Sequence, residues 1–267
     1  MATAMPHKPI CSLVKDGTLE LQTEAGSKPI YNGVVVIEDK VLVIDENGCN
    51  LHIYRLLDGK LMSSHELESS PMGVCLISKT EVAVWLSIST IVILSFKSID
   101  DVKRVTRFNV ETGFNFCHSV AKLNPDKLIV SGDKVDDLML YWCVVNITDG
   151  RVDSTHEVWE WGFGSHVAIK KDTVYISCWI SDSTVEGVYA FDIWNPHTPK
   201  FVYRHDGFRP DSIMVDERNF IYVCDRNSNS IHQLTDSGQL VTIHTLSTIP
   251  YGIFYDDQHG VLYTTSG

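Results

Sequence analysis

Apolar and polar positions along the chain fall into short alternating runs, not helical stripes. Residues 209–240, "RPDSIMVDERNFIYVCDRNSNSIHQLTDSGQL", hold three such runs: Ser212–Val215, Phe220–Cys224 and Ser230–Leu234. Each is rich in β-branched and aromatic side chains. Each is bounded by Asp, Asn, Ser or Gly, residues that favour turns. Short runs with these borders predict strands, so the stretch reads as an antiparallel meander.

The meander recurs. "PDSIMVDERNFIYVCD" from Pro210 aligns without a gap on "CHSVAKLNPDKLIVSG" from Cys117. "YNGVVVIEDKVLVID" from Tyr31, "PMGVCLISKTEVAVWL" from Pro71, "GSHVAIKKDTVYISCW" from Gly164 and "PYGIFYDDQHGVLYTT" from Pro250 follow the same grammar. A small residue (Gly33, Gly73, Ser119, Ser212 or Gly252, with His166 the exception) opens an apolar strand. A polar turn and a second strand follow. Two further strands complete most copies, such as "TIVILSF" with "KRVTRFN" and "GVYAFDIW" with "PKFVYRHD". A period of roughly 40 to 47 residues with four strands per copy is that of a β-propeller blade.

The last copy stops after two strands, at "VLYTTSG", while the N-terminus offers "ICSLVKDG" and "TLELQTEAG" ahead of the first full copy. The expectation is an all-β, six-bladed β-propeller with four antiparallel strands per blade. It is closed by a mixed blade of N- and C-terminal strands, which hides strand edges that would otherwise pair between molecules. The chain is expected to be a single domain over 1–267, with blades near 31–69, 70–110, 111–160, 161–207, 208–248, and 249–267 plus 8–27.

"PDSIMVDERNFIYVCDRNSNSIHQLTDSGQLV" and "PYGIFYDDQHGVLYTTSG" resemble NHL repeats. The shared features are a Pro, a small residue, a strand ending at Asp216 or Asp256, a polar turn, and a second strand ending at Asp225. "VLVIDENGCNLHIYRLLDGKLM" keeps part of this, with Asp45 in the place of Asp225. In tripartite-motif proteins such propellers serve as recognition platforms, so the resemblance implies binding of a protein or peptide and no ligase chemistry. A weaker resemblance is to the regucalcin–gluconolactonase family, which holds a divalent ion at the channel with Glu, Asn and Asp. Asp211 follows Pro210 and Asn32 precedes Gly33 as in that family, but its Glu has no counterpart at a blade entrance. The six-bladed peptidyl-hydroxyglycine lyases place three His for zinc in the equivalent slots, where this chain has only His118.

The residue ahead of each innermost strand faces one mouth of the channel. That ring is Asn32, Met72, His118, Ser165, Asp211 and Tyr251. Asn32, Asp211 and His118 read first as residues that bond loop amides or water, and beside that as candidate ligands for calcium or another divalent ion. A bound ion would support lactone hydrolysis, the alternative function to partner recognition. The second candidate surface is aromatic. "VWEWGFGSH" supplies Trp159, Trp161 and Phe163, and "ETGFNFCH" supplies Phe114 and Phe116, in connections between blades. With Tyr251 and Arg209 they form a candidate partner-binding bowl.

Composition narrows the partners. The 267 residues carry a net charge of −12, which disfavours nucleic acid and anionic membranes. No apolar stretch is long enough to span a bilayer and none has signal-peptide form. Seven cysteines, an odd number without a CxxC pair, read as reduced core thiols and point to the cytoplasm. No Walker loop, nucleophile elbow or HExxH is present. No cofactor is required by this reading beyond the divalent ion of the alternative.

Overall fold

The computed structural model of the chain describes residues 21, 29–96, 102–134, 139–161, 163–179 and 186–266. Its elements are all strands. The first sheet holds β1 (Tyr31–Ile37), β2 (Lys40–Asp45), β3 (Asn50–Arg55) and β4 (Leu61–Glu66). The second holds β5 (Pro71–Ser78), β6 (Glu81–Leu86), β7 (Thr90–Phe96) and β8 (Val102–Asn109). The third holds β9 (Phe116–Asn124), β10 (Lys127–Lys134), β11 (Met139–Asn146) and β12 (Val152–Trp161). The fourth holds β13 (Phe163–Lys170), β14 (Thr173–Trp179), β15 (Gly187–Asp192) and β16 (Asn195–Tyr203). The fifth holds β17 (Pro210–Val215), β18 (Ile221–Asp225), β19 (Ser230–Leu234) and β20 (Leu240–Thr245). A last pair, β21 (Pro250–Asp256) and β22 (Val261–Ser266), stands between the fifth and first sheets.

The chain is therefore a β-propeller, but the described residues form five four-stranded blades, not the expected six. Among the described residues the sixth position holds the two-stranded sheet. The strands assigned to complete it, within residues 8–27, lie outside the described residues except Leu21. Leu21 packs against the blade 1 cluster of Tyr31, Val34, Val36, Val41, Val43 and Tyr54, which also receives Phe254 and Tyr263.

Successive blades bury apolar faces against each other. Trp85, Ile91 and Val110 of blade 2 meet Val130, Cys143 and Val145 of blade 3. Leu42 and Ile53 of blade 1 meet Val84 and Val92 of blade 2. Strands β2, β6, β14 and β18 are buried along nearly their whole length, as expected of strands covered on both faces. The glycine that opens an inner strand has a steric reason. A Cβ on Gly73 would lie 2.9 Å from Ser119 Cα, and one on Gly252 would lie 3.0 Å from Gly33 Cα. Neighbouring inner strands approach too closely there for a larger side chain. Hydroxyls tie the ring together where they face it. Thr265 Oγ1 donates to the Tyr31 carbonyl at 2.6 Å and accepts from Gly252 N at 2.8 Å, joining the last sheet to the first. Ser177 Oγ donates to the Asp211 carbonyl in the same way between blades 4 and 5.

Candidate functional site

Antiparallel order within a blade places four features at one face: the start of the inner strand, the end of the second strand, the turn into the third, and the connection from the preceding blade. This is the channel mouth. The channel holds a cavity of about 60 Å³, lined by Asn32, Gly73, Ser119, His166, Ser212 and Ile253 among others.

Each inner strand breaks register at its start. The shifts fall between Tyr31 and Gly33, Pro71 and Gly73, Phe163 and Ser165, Pro210 and Ile213, and Pro250 and Ile253. In blade 3 the partners of Ser119 and Cys117 are adjacent, which leaves His118 as the extra residue. A bulge of this kind bends the strand and re-aims one side chain. Five of the six expected ring residues, Asn32, Met72, His118, Asp211 and Tyr251, sit in these bulges. Ser165 instead pairs regularly with Cys178.

The re-aimed polar residues meet the second-strand end of their own blade, and Asp211 meets blade 4 as well. Asn32 Nδ2 donates to the carboxylate of Glu46, just past the end of β2. His118 Nε2 meets Asp133 Oδ2 at 2.6 Å, near the end of β10. Arg226 Nη1, just past the end of β18, donates to Asp211 Oδ2 at 3.2 Å. Asp211 Oδ1 is met by His166 Nε2 of blade 4 at 2.9 Å. The donor atoms that an ion would need are therefore engaged in three separate pairs. Among the described residues no group of three or more His, Cys, Asp or Glu is placed to hold a metal. Asn32, His118 and Asp211 do not fit a shared divalent ion.

A second set of mouth residues lays cations on aromatic rings. Arg209 stands 4.0 Å over the Trp179 ring, Arg226 4.5 Å over Tyr251, and Lys134 4.1 Å over Tyr141. Arg209 and Tyr251 belong to the expected bowl. Arg226, Lys134, Trp179 and Tyr141 were missed, although all but Tyr141 stand at or just past the end of a second strand, a column the repeat alignment marks. Phe116 is 56% exposed, while Phe114 is buried in the core between blades 2 and 3. The side chains of Trp159, Trp161 and Phe163 lie outside the described residues. Ile88, Ile30 and Ile249 are also exposed at this face, in a turn and two connections on the side of blades 1, 2 and the two-stranded sheet.

Beneath the mouth, blade 5 has a buried polar node. Asp225 accepts from the amides of Arg209 and Asn227, each at 3.0 Å, and from Ser228 Oγ at 2.5 Å. His232 Nε2 stands 3.5 Å from Asp225 Oδ2, the oxygen that Ser228 also bonds, and His232 Nδ1 is 2.8 Å from the Tyr203 hydroxyl. Burial works to raise the Asp225 pKa, but the hydrogen bonds from His232, Ser228 and the two amides outweigh it and hold it at about 2. Burial and the Asp225 charge push the Tyr203 hydroxyl up to about 12. The Glu186 carboxyl is raised by burial, against the pull of Arg209. Burial also pushes the thiols of Cys75 and Cys143 up, to about 12 and about 11, so neither is poised as a nucleophile.

No protein family and no curated protein matches the sequence. Solved structures do match the fold. Virginiamycin B lyase from Staphylococcus aureus superposes with a TM-score of 0.62 at 14% identity, covering 88% of this chain and 77% of that one. Hydrazine synthase from Kuenenia stuttgartiensis gives 0.63 at 9% identity, covering 86% and 80%. BamB from Moraxella catarrhalis gives 0.52 at 16% identity, covering 89% and 80%. At these identities the likeness is one of fold: the chain is similar to β-propeller proteins of diverse function.

Proposed function

We propose that the protein is a non-catalytic recognition module, of the NHL-like kind, that binds a protein or peptide segment across its channel mouth. The observation that carries this reading is the exposed apolar arc of Phe116, Ile88, Ile30 and Ile249 beside a ring whose polar atoms are already paired. Exposed aliphatic and aromatic groups next to ordered polar ones suit burial against a partner. The metal-dependent lactonase reading finds no such support, because Asn32, His118 and Asp211 each pair with a different residue. The same proposal places the protein in the cytoplasm, in line with six free cysteines among the described residues.

The test is selection of peptides from a random displayed library on the immobilised protein, followed by affinity measurement. Selected peptides are expected to lose at least tenfold in affinity for Phe116→Asp and Ile88→Asp. They should keep it for Leu57→Asp and Trp194→Asp, which alter exposed residues in the hairpin turns of the opposite face. Loss confined to the opposite face would overturn the reading. Calcium binding abolished by Asp211→Ala would favour the lactonase instead.

A further inference from the structure

The outer strand of each four-stranded blade ends in an edge whose amides and carbonyls can pair with a further strand. The five edges are guarded unequally. β8 carries Lys103, Arg104 and Arg107, and β12 carries Asp153, Glu157 and Glu160. β16 carries Pro196, Pro199 and Lys200, and β4 ends on Glu66. Charge and proline on an edge repel or block an incoming strand. β20, with the sequence LVTIHT, has neither. Its Leu240 and Ile243 are 42% and 38% exposed. His244 is the one titratable group in it, and burial lowers its pKa, so it adds no charge at neutral pH. β22 is uncharged too, but Leu21, from the segment expected to cover it, shares a hydrophobic cluster with Tyr263.

β20 pairs with β19 on one side, and no strand among the described residues pairs with it on the other. Leu246 N donates to the Asn229 carbonyl, and bonded and unbonded pairs alternate along an antiparallel ladder. His244 and Thr242 therefore bond inward, to Ile231 and Gln233. The amides and carbonyls of Ile243 and Thr245 point out of the sheet.

We infer that β20 is the contact through which two copies of this chain associate, edge to edge and antiparallel about a two-fold axis. The pairing is self-complementary. An axis at Ile243 sets that residue against its own copy and lets the outward backbone groups bond each other. It opposes no like charges. Asp236, in the turn that leads into β20, falls beyond opposite ends of the paired strands. The same operation on β8 would face bases with bases, and on β12 acids with acids. The net charge of −12 keeps copies apart elsewhere, but at physiological salt it is screened over about 8 Å. An edge of 6 residues buries less than the roughly 1,200 Å² of a stable complex, so the dimer is weak and depends on concentration. This edge lies apart from the channel mouth, so the two readings fail separately.

The test is sedimentation velocity of the full chain from low micromolar to near-millimolar concentration, with amide hydrogen exchange at both ends of the range. A reversible monomer–dimer equilibrium is expected. The Ile243 and Thr245 amides should exchange at least about tenfold more slowly at the higher concentration. Ile243→Lys sets two like charges face to face and should raise the dimer dissociation constant at least about tenfold. Phe116→Asp at the mouth and Leu57→Lys in an exposed turn of the opposite face should leave it unchanged. Thermal melts establish that each variant is folded, and exchange in the wild type needs no variant. A monomer at every concentration whose two amides exchange freely would overturn the inference. So would a monomer in which they are protected equally at all concentrations, since another segment of the same chain would then hold the edge. A dimer kept by Ile243→Lys but lost on Phe116→Asp or Leu57→Lys would place the contact elsewhere and overturn it as well.

Discussion

Blades 3 and 5 place an acid–base pair at the same two register positions, with the charges exchanged. In blade 3 the bulged inner residue is His118 and the second-strand residue is Asp133; in blade 5 they are Asp211 and Arg226. Both arrangements sink the acid and raise the base. They differ in redundancy. Asp211 has two partners, His166 and Arg226, whereas Asp133 has His118 on one oxygen and no hydrogen-bond partner on the other. The position beside the pair also differs. Blade 5 has Asp225 there, tied into four hydrogen-bonding partners, and blade 3 has Gly132. The same backbone site thus admits either polarity, provided the carboxylate is the member kept from solvent.

His118→Leu should break the comparison most sharply. It strands the buried Asp133 carboxylate and should cost about 3 kcal/mol in urea unfolding, most of it recovered in the double variant His118→Leu/Asp133→Leu. A full cost in the double variant would mean that packing of the imidazole, not the pair, matters.

Asp225→Asn comes next. The folded-state pKa of about 2 lies below the unfolded value of about 3.9, so the charged form stabilises the fold by about 2.5 kcal/mol at neutral pH. That contribution is complete above the unfolded pKa and is lost as pH falls from about 4 through 2. Wild type and variant should therefore converge in stability at acid pH, and parallel pH profiles would contradict the account.

Gly132→Ala probes why blade 3 lacks that acid. A Cβ there would overlap the Phe116 carbonyl and the Phe114 ring. The expected cost is about 2 kcal/mol, read as a lowered unfolding midpoint. Arg226→Gln should be mildest, under about 1 kcal/mol, because the residue is partly exposed and His166 still holds Asp211. A cost as large as that of His118→Leu would remove the distinction between the two blades.

Much of the fold was readable from strand rhythm, because strands buried between blades must be apolar and turns must be polar. The small residues at inner-strand starts were readable for the same reason: Gly73 and Gly252 sit where backbones nearly touch. The blade count was not, since completing the sixth position depends on strands far apart in the chain. For the site, Asn32, His118 and Asp211 stand in the bulges at the starts of inner strands. Their partners were not readable, because a bulge decides where a side chain points and short alternation does not reveal bulges. Arg209 on Trp179 and Arg226 on Tyr251 join different blades, so no local pattern announces them. Phe114 is buried and Phe116 exposed although they are two apart, because Phe114 lies in the connection ahead of β9 and does not follow the strand's alternation.

The hydroxyl of Thr265 that bonds the Tyr31 carbonyl joins residues 234 apart in the chain. Closing so long a loop costs chain entropy, so this contact is expected to form late in folding. The chain should leave the ribosome as a growing arc that cannot become a ring until its final strands emerge. Until then the part of the blade 1 flank that Phe254 and Tyr263 cover is open, and a cell would have to shield it during synthesis.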